Sequence, residues 1–258
     1  EYINPDNNNI VGNFDRPNAT FGEDFRGLDN SQNYNADLKI EFFPKNNELF
    51  AINVFGKKID RAIERSYIAS GNSTGTVITF FNAKSAILLG AEAEMNFGLD
   101  RFSENLTGFS FGANATVIYS DVTRSDAQKE ETNFENKRTL QGAAPWMINA
   151  DLKYEYKNTN RLKTTASLVY NVSGKKIYGV GFGNLDNVYE LPFHQLDLVL
   201  QKEISKNVSA KLAVQNILDS TYRLNLGDEN KVEILSDNLR MEDFKRGTSF
   251  NMSVAYTF

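Results

Sequence analysis

The last ten residues, SFNMSVAYTF at positions 249–258, set apolar and polar side chains in strict alternation. A period of two over this length predicts a β-strand with one apolar and one polar face. The apolar row of this strand consists of Phe250, Met252, Val254, Tyr256 and Phe258. The segment decides the fold class because the same pattern recurs along most of the chain.

Further alternating segments occupy residues 34–42, 87–97, 109–119, 146–156, 162–170, 194–201 and 208–214. Segment 48–59 is less regular, since Phe55 places a ring in the polar row. We count about nine strands of roughly ten residues, which is longer than the usual strand of about 5–6 residues. The sequence therefore predicts an all-β protein with long strands.

The connections between these strands alternate in length. Short turns cover residues 44–47, 98–105, 157–160 and 205–207, whereas long polar connections cover 60–76, 121–145, 174–191 and 219–246. In an antiparallel sheet this places every short turn at one end and every long loop at the other. Bacterial outer-membrane barrels show this asymmetry.

Composition excludes several classes of function. The 258 residues include no cysteine and one histidine, and the formal net charge is −5. Disulfides and thiolate metal sites are excluded, and a histidine-based metal site is disfavoured because such sites usually need several imidazoles. An acidic chain also disfavours a nucleic-acid partner. We predict no metal, no cofactor, no catalytic residue and no enzymatic activity.

Alternation alone would also fit a soluble β-sandwich, in which the apolar row faces a second sheet. Three observations favour a membrane barrel instead: strand length, charge in the polar row and the placement of aromatic residues. The strands have the roughly 9–11 residues that cross a bilayer when tilted. The polar row is heavily charged, as Asp37, Lys39 and Glu41 illustrate, and unpaired charges are too costly to bury in a packed interior.

Aromatic residues concentrate towards the two ends of the predicted strands, with small aliphatic residues between them. Such placement is typical of the two membrane–water interfaces of a transmembrane barrel. The predicted girdle consists of Tyr34, Phe42, Phe97, Tyr119, Trp146, Tyr154, Tyr156, Phe250, Tyr256 and Phe258.

The pattern predicts an antiparallel transmembrane β-barrel in a Gram-negative outer membrane, in contact with outer-membrane lipid. Residues 1–32 are expected to form an external loop or connecting segment, and residues 33–258 the C-terminal part of the barrel. Single-chain bacterial barrels carry even numbers of strands. An odd count therefore indicates further strands, either upstream in the protein or from another chain.

Six passages resemble the C-terminal barrel region of TonB-dependent outer-membrane receptors. They are YNADLKIEFFP (34–44), AINVFGKKIDRAIE (51–64), LQGAAPWMINADLKYEY (140–156), HQLDLVLQKEI (194–204), AKLAVQNILDSTY (210–222) and SFNMSVAYTF (249–258). The resemblance implies a barrel of roughly 22 strands, closed by an N-terminal plug. It also implies uptake of a scarce nutrient, such as a siderophore, cobalamin, glycan or peptide, energised by the TonB system through an N-terminal region not recognised in these residues.

Recognition in barrels is carried by external loops, so ligand-facing residues are sought there. The candidates are Tyr67, Arg124, Arg138, Tyr178, Phe182 and Arg223. The glycines between Gly174 and Gly183 predict a flexible external loop, because they lack the strand-to-helix setting of a phosphate-binding loop.

Two other functions remain open. The chain could be a structural or partner-binding barrel subunit of an envelope or secretion assembly, with a lipoprotein or other envelope protein as partner. An outer-membrane enzyme ranks far below both, because it would need a nucleophile–base pair and the one histidine, His194, lies in the lipid-facing apolar row of its strand.

Overall fold

A computed structural model describes residues 28–69, 76–124, 138–182, 185–227 and 240–258. No helix within these residues is long and apolar enough to cross a bilayer. The structure consists of β-strands joined by turns, with two short 3₁₀ segments, Leu99–Arg101 and Glu104–Leu106, in one connection.

The strands are β1 (Gln32–Phe42), β2 (Leu49–Asp60), β3 (Ile63–Ala69), β4 (Thr76–Asn82), β5 (Ser85–Gly98), β6 (Phe109–Thr123), β7 (Trp146–Lys157), β8 (Lys163–Ser173), β9 (Lys176–Phe182), β10 (Val188–Glu190), β11 (Gln195–Glu203), β12 (Val208–Gln215), β13 (Thr221–Leu226), β14 (Arg240–Lys245) and β15 (Ser249–Tyr256). They form two sheets, which we call the barrel sheet and the second sheet.

The barrel sheet contains nine antiparallel strands in the order β1-β2-β5-β6-β7-β8-β11-β12-β15. These are the nine segments that alternate in the sequence, so the predicted strand number and antiparallel all-β class are confirmed. The sheet does not close on itself. Strands β1 and β15 form its two edges, and both are exposed along their whole length.

The register of the strands places the apolar row and the polar row of each strand on opposite faces of the barrel sheet. One cross-strand row joins Ile40, Ile52, Ala93, Ala115 and Ile148. The row next to it joins Glu41, Ala51, Glu94, Asn114 and Asn149. Since a slip of one residue would exchange the faces of a strand, this register gives the sheet one mainly apolar and one mainly polar face, with Lys58 and Lys202 in the apolar rows towards the strand ends.

Phe55, which interrupts the polar row in the sequence, is accommodated by a glycine. It pairs with Gly90 on β5, and a Cβ added at Gly90 would overlap the Phe55 ring. The absent side chain provides the space in which the ring lies. The irregular segment 48–59 is therefore a regular strand in the structure.

The second sheet has six strands in the order β14-β13-β10-β9-β3-β4. Its strands lie in or beside connections that the sequence predicts to be long polar loops, and this prediction is wrong for these residues. Strand β3 pairs with β9 in parallel across more than a hundred residues of sequence, with Ser66 opposite Val180. A pattern read along the chain cannot show such a partner.

Apolar side chains hold the second sheet together on both faces. Tyr67, Val188 and Leu224 form one buried cluster, and Phe81, Ile177 and Val180 form another. The predicted flexible glycine loop is wrong too, because it contains β9. A Cβ at Gly179 would overlap the Tyr67 ring, so this glycine serves close packing.

Candidate functional site

A β-bulge in the second sheet positions the side chain of Tyr178. Tyr189 of β10 pairs with Ile177, and the preceding residue, Val188, pairs with Gly179. Tyr178 is the extra residue between these pairs. Bulges bend a strand, redirect a side chain and are frequent beside binding sites. The bulge is the first indication that this part of the sheet does more than pack.

Arg65 of β3 stacks on the Tyr178 ring, with its guanidinium carbon 4.5 Å from the ring centroid. Gln141 holds both residues in place. Its Oε1 accepts a hydrogen bond from the Arg65 backbone N–H at 2.6 Å, and its Nε2 donates to the Tyr178 carbonyl. The stacked pair is thus fixed by its neighbours before any ligand arrives.

Glu190 forms a small polar network beside the stacked pair. Lys176 Nζ lies 3.0 Å from its carboxylate, and the Tyr222 hydroxyl donates to it at 3.3 Å. Burial, followed by the nearby Glu190 charge, raises the pKa of Tyr222 well above its ordinary value. Tyr222 therefore stays a neutral hydrogen-bond donor, and the Glu190 charge is offset by Lys176.

Arg246 lies among three aromatic rings at the same end of the network. Its guanidinium carbon is 5.3 Å from the centroid of Tyr222, 5.8 Å from Phe193 and 6.0 Å from Phe244. Cation–π contacts of this kind contribute on the order of 0.5–1 kcal/mol each at exposed sites. They brace Tyr222, which in turn holds Glu190.

Arg65, Tyr178, Gln141, Lys176 and Glu190 line an open cleft of about 390 Å³, within the range of small-molecule sites. One part of its wall is apolar and another is polar. The lining residues are Ile63, Arg65, Phe80, Gln141, Gly142, Lys176, Ile177, Tyr178 and Glu190. Such a wall suits a ligand that combines an apolar body with a polar group.

A buried ion pair supports the cleft from behind. The two terminal nitrogens of Arg138 contact the carboxylate of Glu64 at 2.7 and 2.5 Å, and both side chains are almost fully buried. Glu64 also accepts a hydrogen bond from the Gln141 backbone at 3.4 Å. The pair fastens the segment that carries Gln141 to β3.

The structure changes the interpretation of two predicted ligand-facing residues. Arg138 is 7% exposed and holds Glu64, so it supports the cleft from the interior. Tyr67 is 6% exposed in the core of the second sheet, and burial raises the pKa of its hydroxyl. Neither side chain is presented to solvent, since Tyr67 packs in a buried cluster and Arg138 is paired with Glu64. The sequence predicts open loops at both positions, and this prediction is wrong.

The other predicted ligand-facing residues are distributed around the sheet. Tyr178 lines the cleft. Arg223 of β13 pairs with Asp243 at 3.4 Å and points away from its neighbour Tyr222, since successive strand residues face opposite sides. Arg124 directly follows β6, and Phe182 ends β9, with its side chain outside the described residues.

The sequence interpretation missed Arg65, Lys176, Glu190, Tyr222 and Arg246. A usable signal existed for the first of these, because Ile63, Arg65 and Tyr67 alternate with Glu64 and Ser66 as strand residues do. Lys176, Glu190 and Tyr222 belong to short strands, and Arg246 directly follows one; the pattern of such strands is too brief to separate from a loop. Only the pairing of distant segments brings them together.

Most of the predicted girdle residues are exposed on the barrel sheet, and their contact with lipid stays a prediction. Phe97 and Tyr154 are partly covered by neighbouring rings, with centroids 5.9 Å from Phe50 and 4.6 Å from Phe109. The exposed members are Tyr34, Phe42, Tyr119, Trp146, Tyr156, Phe250, Tyr256 and Phe258. Across the described residues, no three His, Cys, Asp or Glu side chains converge to hold a metal ion.

Comparison with known proteins agrees with this architecture. Residues 2–217 match the family described as TonB dependent receptor-like, beta-barrel. No curated protein matches the chain in sequence. The matched family and the similar solved structures are receptors and transporters.

Three similar structures show the extent of the likeness. The copper transporter OprC has a TM-score of 0.59 at 15% identity, covering 91% of this chain and 32% of its own. The ferric yersiniabactin uptake receptor FyuA from Yersinia pestis has a TM-score of 0.55 at 14% identity, covering 88% and 30%. A mutant of the ferric enterobactin receptor PfeA from Pseudomonas aeruginosa has a TM-score of 0.53 at 18% identity, covering 90% and 32%. The chain thus spans about a third of the length of these structures.

Proposed function

The chain belongs to the TonB dependent receptor-like β-barrel family, and from this premise we propose that it is the C-terminal barrel portion of a receptor for active uptake of a scarce nutrient. Barrels of this family lie in the Gram-negative outer membrane, which is therefore the location of this protein. The proposed cargo is a siderophore, cobalamin, glycan or peptide, and the proposed role is transport without catalysis.

One observation carries the proposal. A sheet of nine long strands presents a mainly apolar face along the middle of its strands, and residues of the second sheet, together with Gln141 and Gly142, line a cleft. A receptor requires both an apolar barrel surface for the bilayer and a recognition site at the end of the barrel. A purely structural barrel subunit would need the wall and would have no use for the cleft.

Several parts of the proposed receptor lie beyond the described residues. Residues 1–27 belong to the proposed external or connecting segment 1–32, and the remaining strands, the plug and the contact with the TonB system would come from other parts of the protein. The similar structures include receptors named for ferric siderophores and a copper transporter. Metal complexes are accordingly the first cargoes to test.

A growth experiment tests the proposal. The gene is deleted in the bacterium that carries it, and growth is measured with ferric siderophores, copper, cobalamin, glycans or peptides as the limiting nutrient. We expect the deletion to abolish growth on one nutrient, and loss of TonB to reproduce that defect. Unchanged growth on every nutrient, together with a stable envelope protein that co-purifies, would replace the receptor by a partner-binding barrel subunit.

A further inference from the structure

Arg65 differs from Arg138 and Arg223, which both have a carboxylate partner. Arg138 is paired with Glu64 at 2.5 Å and Arg223 with Asp243 at 3.4 Å. Among the described residues, no carboxylate lies within ion-pair distance of Arg65. Its partners are the Tyr178 ring and the neutral Tyr67 hydroxyl, which support the guanidinium without supplying a negative charge. A half-buried cation of this kind is a ready partner for an anion.

The charges of the described residues that line the cleft sum to one positive charge. Lys176 and Glu190 compensate each other at 3.0 Å, so their charges cancel locally. Arg65 contributes the remainder. A ligand with one negative charge would neutralise the cleft, whereas a cation would add to the charge that is already there.

The shape of the wall defines the rest of the ligand. The Arg65 guanidinium and the Tyr178 ring are stacked, and Ile63, Phe80 and Ile177 supply apolar surface in the same cleft. Arginine presents a planar fork of donors that matches a carboxylate with two parallel hydrogen bonds. Flat apolar surface beside such a fork suits an aromatic ring or another planar group.

We propose that the cleft binds a planar group carrying a single carboxylate, such as an aryl carboxylate, with Arg65 holding the anion and the apolar wall covering the ring. One part of the inference rests on the proposed function, namely that this group belongs to the transported cargo. Binding itself can be measured on the purified protein without any transport.

The test uses three fluorinated probes of equal size: 4-fluorobenzoate, 4-fluorobenzamidine and 4-fluorobenzyl alcohol. Their ¹⁹F signals are recorded with the full-length protein in detergent, and affinity is taken from the line broadening. We expect 4-fluorobenzoate to bind and the cation and the alcohol to bind at least about tenfold more weakly, since a charged hydrogen bond contributes about 1.5–3 kcal/mol.

Two variants and one control assign the binding to the cleft. Arg65→Gln removes the charge and should weaken 4-fluorobenzoate about tenfold or more. Ile63→Trp fills the cleft from a side chain that is 38% exposed, and should weaken binding with the charge intact. Arg223→Gln removes the same charge elsewhere on the sheet and should leave binding unchanged.

The outcomes separate this inference from the proposed function. If 4-fluorobenzamidine binds as tightly as 4-fluorobenzoate, or if Arg65→Gln and Arg223→Gln weaken the benzoate equally, the assignment is wrong. The same holds if the benzoate binds but is unaffected by Ile63→Trp. If the benzoate binds as expected while the gene deletion has no growth phenotype, the cleft assignment stands and the uptake role fails.

Discussion

Replacing Ala115 by lysine tests whether the apolar face of the barrel sheet meets lipid. Ala115 lies six residues from the start of β6 at Phe109. At about 3.4 Å per residue and a tilt of about 45°, it lies about 14 Å from the short-turn end of the strand. Since the hydrocarbon layer is about 30 Å thick, this position is close to the bilayer midplane.

A lysine on the lipid face near the midplane costs about 2–4 kcal/mol. The folding equilibrium constant of Ala115→Lys should therefore fall by roughly 30-fold to 1,000-fold. The assay is a urea titration of the full-length protein in lipid vesicles, with folding followed by the gel mobility of the folded barrel. We expect the unfolding midpoint to move to clearly lower urea.

The neighbouring residue provides the control. Asn114 occupies the other face, accepts a hydrogen bond from Asn149 at 2.7 Å and pairs in register with Glu94. Asn114→Lys loses that hydrogen bond, worth about 1 kcal/mol, and gains a carboxylate neighbour, worth about 0–1 kcal/mol. The net change should stay within about 1 kcal/mol. If Ala115→Lys is as stable as the parent while Asn114→Lys is not, the lipid and water faces are reversed.

Three further changes test the packing. Glu64→Gln leaves Arg138 buried without its anion and should cost about 3–5 kcal/mol of stability. Amide hydrogen exchange of β3 measures this loss of stability. Adding Arg138→Met should restore most of the lost stability. The raised pKa of Tyr222 means that its contribution to stability is complete below its unfolded pKa of about 10 and is lost as pH rises through the folded pKa. Proteolysis at increasing pH should show this loss of stability. Tyr222→Phe should remove this part of the pH dependence. Gly90→Ala forces a methyl group into the Phe55 ring and should cost about 1–3 kcal/mol, measured by the same urea titration. Adding Phe55→Ala should reduce this cost. If the double variant is no more stable than expected from the two separate changes, the packing argument is contradicted.

The barrel sheet could be predicted from the sequence because its information is local. Each strand is long enough to show its own alternation, and pairing then follows from the short turns. The strand from Leu49 to Asp60 appeared irregular only because of Phe55. The compensating residue, Gly90, lies on the next strand of the sheet, and a linear pattern does not show that the two meet.

The second sheet could not be predicted because its information is distributed. Its strands have three to seven residues, and β3 and β9 meet in parallel from distant parts of the chain. Glycine was interpreted as flexibility, whereas Gly179 makes space for the Tyr67 ring. Arginine was interpreted as exposed loop charge, whereas Arg138 is fixed in the interior by a carboxylate. In each case the partner decides the role, and the partner is remote in sequence.

The way the two sheets are joined bears on how the cleft recognises a ligand. Two residues separate β3 from β2, and two residues separate β9 from β8. The strands that carry Arg65 and Tyr178 therefore follow directly on barrel strands. A binding site on free loops, by contrast, would have to be ordered by its ligand. Sites on rigid elements hold their geometry more accurately than loop sites, and a preformed site avoids the ordering cost of binding. Selectivity at this cleft should consequently arise from the fixed position of the Arg65 guanidinium. Arg65→Lys retains the charge but loses the planar fork, and it should weaken binding of a planar carboxylate almost as much as Arg65→Gln does.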